Sequence, residues 1–564
     1  MATSPTSSGQ EQGLVSQQEL QKTSGVRIEE IPSGVRAITG VETSVTAFIG
    51  SALRGPDDMP VEINTFRDFE RIFGGLWDGS ALGYAVRDFF RNGGSKAIIV
   101  RLYNPETGAN FIPANSKLRV GDFRFTAAEK GAWGSNLRAS IDIDVSDEAP
   151  KQLGLAKTDL FNLTIYEINS NEATVSSEKH RNLSVKDSAR RVDNVLQAES
   201  TMLRWDGTWP PNPLPGIAAG DDDVTKAEKQ LAANPQNAGA QAAVTAAKQA
   251  ATSSNGIALT KIDNFTPANG QANKLGLYAL ERTEIFNLLC IPPYTANGNV
   301  ERVLISEAAT YCEQRRAMLL VDSPSDWVDA PTAINKFTGT SDVVGTRSRN
   351  AALYFPRLRY PNPLHNDQIE DFVPCGAVAG VIARTDANRG VWEAPAGLEA
   401  TVTGVSQLTA APLTDAENGE LNQLGINCVR TFPLAGSVVW GARTLRGADQ
   451  LADEYKYVPT RRMALFIESS LYRGLQWVVF EPNDEPLWAQ IRLNVRAFLD
   501  GLFRQGAFQG STPREAYFVK CDNETTTQND INLGIVNVII GFAPLKPGEF
   551  VIIMVTQLAG QAST

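Results

Sequence analysis

The 564-residue sequence predicts a mixed α/β (α+β) protein of several domains. In its second half, apolar segments of strand length alternate with amphipathic segments of helix length, which is typical of β–α–β units in a partly parallel sheet. Between residues 120 and 170, polar and apolar residues alternate with period two, which indicates amphipathic strands. Together the two patterns predict a mixed α/β core that is interrupted by an inserted β-rich module.

The N-terminal region predicts a flexible polar tail at residues 1–24, followed by an arm and the first part of the core at residues 25–110. Apolar residues predict one strand at residues 25–31 and a second strand at residues 45–49. The segment "INTFRDFERIFGG" predicts a helix that ends at glycine.

The stretch "FFRNGGSKAIIVRLYN" at residues 89–104 looks like a phosphate-binding loop, because two glycines precede Ser95 and Lys96. In a phosphate-binding loop, a strand comes before the glycines and a helix follows, so that backbone N–H groups face the anion. Here the helical spacing of apolar residues comes first and an apolar strand follows. This order predicts a helix C-cap and a turn, not a nucleotide site.

The middle of the chain predicts two further segments. Residues 111–199 carry the period-two strands "RVGDFRFTA", "LRASIDIDV" and "FNLTIYEI" and form the β-rich module. Residues 200–272 are first rich in proline and glycine and then rich in alanine, which predicts a low-complexity surface insertion with a broken helix.

The rest of the chain predicts an α/β domain at residues 273–425 and a C-terminal domain at residues 426–564. In the first, strand "IFNLLCIPP", helix "NVERVLISEAATYCEQRR" and strand "AMLLVDSP" predict a parallel β–α–β unit. The second predicts, in order, strand "GSVVWGART", helix "RRMALFIESSLYRGLQ", strand "WVVFEP", helix "PLWAQIRLNVRAFLDGLFRQG", and the final strands "LGIVNVIIGFAP" and "EFVIIMVTQL".

The two final strands are apolar on both faces, and the second stops near the end of the sequence. A hydrophobic strand of this kind presents unpaired backbone groups to other chains, which favours strand exchange with a neighbour. Ordinary pairing within one domain is the alternative, and the pattern alone favours neither.

Composition excludes several classes of function. The net charge of −11 argues against nucleic acid as a partner, because binding to phosphates requires a basic surface. No run of eighteen apolar residues occurs, so no membrane insertion is expected. The first residues lack the pattern of a secretory signal, so we expect synthesis in the cytoplasm.

Residues typical of catalysis and metal binding are scarce. The two histidines are His180, expected to be exposed, and His365, expected in a loop, and neither has a catalytic partner nearby in sequence. The cysteines are scattered and apolar in context, which predicts reduced core thiols: Cys290, Cys312, Cys375, Cys428 and Cys521. We therefore expect no catalytic residues, no metal site and no cofactor.

Two charged clusters have structural explanations. Asp142 and Asp144 share one strand face, where a metal site is an alternative to the commoner solvent-facing strand. Arg384, Asp386 and Arg389 lie in "ARTDANRG", which we interpret as an ion-pair cluster that fixes a loop.

Several motifs in one order resemble the tail sheath proteins of contractile phages and of phage-tail-like contractile injection systems. The resemblance covers most of residues 25–110 and 280–560 and is weak across residues 200–270. The motifs are "GVRIEEIPSGVRAITGVETSVTAFIGSALRGP", "FFRNGGSKAIIVRL", "GAWGSNLRASI", "NLLCIPP", "YCEQRRAMLLVDSP", "NAALYFPRL", "GAVAGVIARTDANRGVWEAPAG", "LTDAENGELNQLGINCVRTFPLAGSVVWGARTL" and "YKYVPTRRMALFIESSLYRGLQWVVFEPND".

The resemblance implies a structural sheath protomer with extended N- and C-terminal strand arms. It would polymerise with itself as stacked, usually hexameric rings around an inner tube protein, with baseplate and tail-terminator or cap proteins as further partners. The extended assembly would be metastable, and its contraction would drive the tube through a target cell envelope. The particle would be a phage tail or a related injection particle, a choice that the sequence leaves open.

The resemblance also implies which residues join neighbouring subunits. The arms correspond to residues 25–31 and 550–558, and the receiving strand corresponds to residues 533–540, with the roles of donor and receiver left open. The arm residues are Val26, Ile28, Ile31, Phe550, Ile552 and Met554, and the receiving residues are Ile535, Val538 and Ile540.

The helix after Pro482 is the expected contact with the inner tube. One of its faces carries an apolar stripe of Trp488, Ile491, Val495, Phe498 and Leu502. Arg492 and Arg496 share another face, and the resemblance implies that they pair with acidic groups on the tube. The alternative is a solvated face with an Arg496–Asp500 ion pair. For the whole protein, the alternative function is an enzyme with an unrecognised ligand site in the parallel-sheet region.

Overall fold

The computed structural model describes residues 36–108, 111–209, 217–294, 298–339 and 344–549. These residues form a mixed α/β structure with several sheets, which confirms the predicted fold class. Within the same ranges, no helix is both long and apolar enough to cross a membrane. The predicted arm residues Val26, Ile28, Ile31, Phe550, Ile552 and Met554 lie outside the described residues.

The strands of the described residues are β1 (Thr46–Gly50), β2 (Val61–Ile63), β3 (Ala97–Arg101), β4 (Lys117–Val120), β5 (Phe123–Ala127), β6 (Leu137–Asp142), β7 (Leu160–Ile168), β8 (Thr174–Ser184), β9 (Leu203–Trp205), β10 (Gly220–Asp221), β11 (Leu288–Cys290), β12 (Met318–Asp322), β13 (Ala351–Phe355), β14 (Leu358–Asn362), β15 (Gln368–Phe372), β16 (Gln407–Leu408), β17 (Ile426–Phe432), β18 (Gly436–Trp440), β19 (Tyr517–Lys520) and β20 (Ile539–Phe542).

The helices are α1 (Phe66–Phe73), α2 (Leu82–Arg91), α3 (Ala149–Leu153), α4 (Val192–Glu199), α5 (Asp223–Ala233), α6 (Ala238–Ala250), α7 (Gly270–Asn273), α8 (Arg302–Arg315), α9 (Ala330–Thr338), α10 (Cys375–Arg389), α11 (Asp415–Gln423), α12 (Val458–Gly474), α13 (Glu485–Arg504), α14 (Pro513–Ala516) and α15 (Gln528–Asn532).

An eight-stranded sheet organises the α/β part, with the order β18-β17-β13-β12-β11-β1-β3-β2. The strands from β17 to β3 are parallel, and the two edge strands are antiparallel. Alternate residues of β1 show why the sheet is apolar on both faces: Ala47 packs with α8 and α9, whereas Phe48 packs with α1, α2 and α10. The unit β11–α8–β12 is parallel, as predicted.

The segment "FFRNGGSKAIIV" has the predicted helix–turn–strand order. Helix α2 ends at Arg91, and Gly93 follows with φ +108°, a conformation that favours glycine. A Cβ at Gly93 would lie only 2.7 Å from Cβ of Arg384, so the glycine also permits close packing against α10. Strand β3 then begins at Ala97.

Two antiparallel sheets form the β-rich module, with the orders β10-β6-β7-β8 and β4-β5-β9. Strands β9 and β10 come from the segment at residues 200–272, which the sequence predicts as a separate surface insertion. They join the module because Trp205 and Ile217 pack against its core. Helices α5 and α6 of the same segment pack on each other, and Asp222 caps α5 by accepting from Val224 N–H at 3.0 Å.

The C-terminal part has its own core between α12, α13 and the β19–β20 pair. The predicted strand "WVVFEP" is wrong: Gln476–Val478 forms a short 3₁₀ turn, and Val479 and Phe480 are exposed. A short apolar run fits a strand or a turn equally well by period. In the part of the chain that the structure describes, this run pairs with no strand. The predicted strand "LGIVNVIIGFAP" is shorter than expected, since β20 covers only Ile539–Phe542.

Candidate assembly surfaces

Helix α13 is positioned by a sequence signal at its start. Asp484 precedes the helix and accepts a hydrogen bond from Leu487 N–H at 3.3 Å, and a proline lies in the first turn. The predicted apolar stripe is confirmed as buried: Trp488, Ile491, Val495, Phe498 and Leu502. These side chains share a core with α12, so the opposite face of α13 points away from this core.

Arg492 and Arg496 lie at the boundary between this face and strand β19. Arg492 donates to the carbonyl of Cys521 and pairs with Glu485, Nη2 to Oε1, at 2.5 Å. Arg496 donates to the carbonyl of Val519 at 3.4 Å and remains exposed. Arg492 therefore holds β19 against the helix, whereas the side chain of Arg496 is more exposed to solvent.

The alternative Arg496–Asp500 pair is wrong in detail. Asp500 pairs instead with Arg504, Oδ2 to Nη2, at 2.7 Å, on the next turn of the helix. Leu493 lies on the exposed face, with 49% of its surface accessible. Sequence reasoning missed Leu493, although its position off the buried stripe is the signal that could have identified it.

The β19–β20 pair is the second candidate surface. The strands are antiparallel, with Tyr517 opposite Phe542 and Lys520 opposite Ile539. Among the described residues these two strands pair only with each other, and two-stranded sheets are marginal alone. Phe518 and Ile539 are about half exposed, at 52% and 49%. The pair thus offers both apolar surface and strand edges to a further strand.

The predicted receiving residues divide between strand and loop. Ile540 lies in β20 opposite Val519. Ile535 and Val538 precede the strand, and Ile535 is 43% exposed. Helix α15 ends at Asn532, and residues 533–538 form a turn and an irregular segment before the strand begins.

The cluster in "ARTDANRG" is an ion-pair cluster, as predicted, but it lies on the last turns of α10 and not in a loop. Asp386 pairs with Arg462 of α12 at 2.6 Å. Arg384 donates to backbone carbonyls, including that of Thr401 at 2.7 Å. Arg389 pairs with two glutamates. The buried Asp386–Arg462 pair therefore joins α10 to α12.

His180 is buried, which corrects the expectation that it is exposed. Its Nε2 lies 3.2 Å from Oε2 of Glu178. Burial raises the pKa of Glu178, but hydrogen bonds from His180, Thr201 and Ser200 outweigh this and lower the pKa to about 2. The histidine is therefore held by a carboxylate inside the β-rich module.

His365 borders a cleft of 660 Å³ near the carboxyl ends of the parallel strands. Its Nδ1 lies 2.5 Å from Oε1 of Glu370 and its Nε2 lies 3.3 Å from Oδ2 of Asp78. The hydrogen bond with Glu370, together with the charges of both carboxylates, raises the pKa of His365. The two carboxylates therefore hold the imidazole in place at the border of the cleft.

A smaller cavity of 300 Å³ lies beside Asp322 at the end of β12. Burial raises the pKa of Asp322 to about 6. Its Oδ1 accepts the N–H of Cys375 at 2.8 Å, so this carboxyl group holds the first residue of α10. The role is structural, since the helix N-terminus favours a carboxylate.

The two aspartates of the β-rich module are also used structurally. Asp142 pairs with Lys179 at 3.1 Å and accepts from Asn162 at 2.5 Å, and β6 ends at Asp142, so Asp144 is outside the strand. No group of three or more potential metal ligands occurs within the described ranges. The five cysteines are buried and unpaired with one another, as predicted for core thiols.

The family model "Phage tail sheath protein central domain" matches residues 267–445, and "Phage tail sheath C-terminal domain" matches residues 452–557. Together they span just over half of the chain. The tail sheath protein of Vibrio phage KVP40 is 27% identical over 210 residues, which cover 36% of this chain. The match spans 30% of the length of that protein.

Solved structures share the fold at low sequence identity. The anti-feeding prophage helical sheath in its contracted state has a TM-score of 0.52 and 22% identity, covering 95% of this chain and 99% of that chain. The sheath tail protein of Listeria innocua has a TM-score of 0.54 and 13% identity, covering 90% and 96%. An extracellular contractile injection system, the PVC sheath complex in its contracted state, has a TM-score of 0.51 and 20% identity, covering 95% and 97%.

Proposed function

Because this chain belongs to the phage tail sheath protein family, we propose that it is the subunit of a contractile tail sheath that surrounds an inner tube. The observation that carries this proposal is the match of the central and C-terminal sheath domains, in order, to residues 267–445 and 452–557. The family is a structural one, so it gives no support to the alternative of an enzyme.

Self-assembly and association with a baseplate follow as the proposed partnerships. Similar chains form a helical sheath and take part in a six-fold symmetrised baseplate in the anti-feeding prophage. By analogy, the subunit assembles with its own copies in stacked hexameric rings as part of a phage tail or a phage-tail-like particle, after synthesis in the cytoplasm. An inner tube protein and a tail-terminator or cap protein complete the expected partners.

Strand exchange is the proposed means by which neighbouring copies join. The exposed apolar edge of the β19–β20 pair supports this proposal, since an added strand would satisfy backbone groups and bury Ile539 and Phe518. Residues 25–31 and 550–558 are the proposed arms. Which of them donates its strand to this pair is left to experiment.

The exposed face of α13 is the proposed contact with the tube. Arg496 and Arg504 supply positive charge on this face, and Leu493 supplies exposed apolar surface. Such a mixture of charge and apolar area suits a rigid partner with acidic groups on its surface. Arg492 contributes less freely, because Glu485 and the carbonyl of Cys521 already accept from it.

Contraction in this proposal takes its energy from contacts between subunits. A metastable extended assembly and a more stable contracted one are two packings of the same chains, and a trigger at one end shifts the population to the second. The work that moves the tube is then at most the net free energy released as contacts of the extended form are exchanged for those of the contracted form.

Negative-stain electron microscopy of the chain, alone and with its tube protein, tests the proposal. We expect hollow, ridged cylinders whose diameter distinguishes the extended form from the contracted form. Dispersed globular particles under both conditions, at concentrations where a sheath subunit polymerises, would contradict the proposed function.

A further inference from the structure

The chain returns from the C-terminal core to the α/β domain along residues 543–549. Ala543 N–H donates to the carbonyl of Ala516 at 2.8 Å, and Gln509 N–H donates to the carbonyl of Ala543 at 2.9 Å. Two residues further on, Thr460 Oγ1 donates to the carbonyl of Leu545 at 3.3 Å. These contacts guide the segment from β20 past the start of α12.

Glu549 ends this segment in a charged cluster that sequence reasoning missed. Arg443 donates Nε to Oε1 of Glu549 at 2.7 Å and Nη2 to Oε2 at 2.6 Å, so the two planar groups meet through two parallel hydrogen bonds. The Arg443 side chain is fully buried, and that of Glu549 is only 14% exposed. A pair with this geometry holds the glutamate in one position and orientation.

Three further groups hold the Glu549 carboxylate. Tyr457 OH donates to Oε2 at 3.1 Å, Asn422 Nδ2 donates to Oε1 at 3.3 Å, and Lys456 Nζ lies 3.7 Å from Oε2. Burial raises the pKa of Glu549, but the hydrogen bonds and charge of Arg443 outweigh burial and lower it. The carboxylate therefore stays ionised at neutral pH.

The receptor for this carboxylate lies beside the central sheet and has contacts of its own, apart from Glu549. The Nη1 of Arg443 donates to the carbonyl of Asn422 at 2.8 Å and pairs with Asp449 at 3.0 Å. The backbone N–H of Arg443 donates to Asn427 Oδ1 at 2.6 Å, beside strand β17. The guanidinium is thus a fixed anchor beside the central sheet.

We propose that Glu549 is the positioning residue of the C-terminal arm. Its paired hydrogen bonds with Arg443, called the clamp below, fix the point from which residues 550–564 leave the subunit. The inference rests on the proposed function, in which that arm joins a neighbouring copy. Fifteen residues reach at most about 50 Å when fully extended, so a fixed origin restricts which neighbours the arm can meet.

Loss of the clamp removes this restriction. Residues 546–549 would lose their anchor, and the origin would move back to Leu545, whose carbonyl still accepts from Thr460. Assembly would then have to order this segment again in every subunit, which opposes polymerisation. The clamp therefore prepares the arm for exchange before a neighbour arrives.

The test is Glu549→Gln in the full-length chain, which removes the charge and keeps the size of the side chain. We expect hydrogen–deuterium exchange across residues 546–549 of the unassembled subunit to become faster. We expect the concentration needed for polymerisation, measured by sedimentation and electron microscopy, to rise by about tenfold or more, as for the loss of one charged hydrogen-bonded pair. Polymerisation at the wild-type concentration despite faster exchange would overturn the inference.

Two companion variants make the result specific. Asp415→Asn removes a carboxylate that is 96% accessible and pairs with Arg430. This variant is expected to polymerise as the wild type does. Tyr457→Phe removes one hydrogen bond from Glu549 and is expected to raise the same concentration by a few fold. If Glu549→Gln does not fold, Tyr457→Phe takes its place in the test. In that case, a Tyr457→Phe chain that polymerises at the wild-type concentration would overturn the inference.

Deletion of residues 550–564 separates this inference from the proposed function. If the deletion prevents polymerisation and Glu549→Gln does not affect it, the arm acts without the clamp and only the inference is wrong. If the deleted chain polymerises as the wild type does, the proposed role of the arm is wrong, and the clamp then has no arm to position.

Discussion

Replacing Asp386 by alanine removes one partner of a buried ion pair between α10 and α12. Both side chains are nearly inaccessible, at 3% for Asp386 and 4% for Arg462. The Arg462 guanidinium contacts the carboxylate through two hydrogen bonds, of 2.7 and 2.6 Å, and also donates to the carbonyl of Thr43 at 2.7 Å. Among the described residues, the hydrogen bond to Thr43 is the one that the Arg462 guanidinium makes without Asp386.

The expected loss of unfolding free energy is about 3–5 kcal/mol, because removing one partner leaves a charge buried without its counter-ion. The double variant Asp386→Leu with Arg462→Met removes both charges and keeps apolar volume. We expect it to lose less than the single variant does, since the desolvation penalty disappears along with the attraction.

Urea unfolding followed by circular dichroism, at concentrations below polymerisation, measures both variants. Asp415→Ala is the matched control, because Asp415 is 96% accessible and its pair with Arg430 is worth at most about 1 kcal/mol. The reasoning is refuted if Asp386→Ala unfolds within about 1 kcal/mol of the wild type, or if the double variant is less stable than the single one.

Three further outcomes are expected. Deleting residues 1–31 should prevent polymerisation and leave a folded subunit; filaments of wild-type length by electron microscopy would contradict strand exchange by the N-terminal arm. Arg496→Glu should weaken co-sedimentation with the tube without changing the melting temperature. Unchanged co-sedimentation would indicate that Arg496 is a solvent-exposed residue that does not contact the tube. The pKa of Glu178 is lowered from 4.5 to about 2, so its contribution to stability is complete above about pH 4.5 and is lost as pH falls toward 2. Glu178→Gln should flatten that part of an acid-unfolding curve, and an unchanged curve would argue against this assignment.

Local patterns were sufficient for most of the secondary structure. The spacing of apolar residues predicted α2, α8 and α13, and the short apolar runs predicted β3, β11 and β12. The order of elements around Gly93 excluded a phosphate-binding loop before any coordinates were needed. The same reasoning failed at "WVVFEP", because a run that short has no distinctive period and its state depends on whether a sheet lies beside it.

The resemblance of the motifs predicted the family, and the matches of the two sheath domains confirm it. The proposed contacts of Arg492 and Arg496 with the tube, and of the two arms with neighbours, stay predictions. For Arg492 the structure adds a contact that no local pattern predicts, the carbonyl of Cys521.

By itself, the sequence determined the α/β class, the order of its main elements and the membership of the sheath family, because these depend on periods and motifs within short stretches. Only the tertiary structure decided which charges meet. Asp386 pairs with Arg462, which lies 76 residues further along the chain, and Arg443 pairs with Glu549, which lies 106 residues further along. Such pairs carry no local pattern, because their partners come together only when the sheet and the helices around it pack.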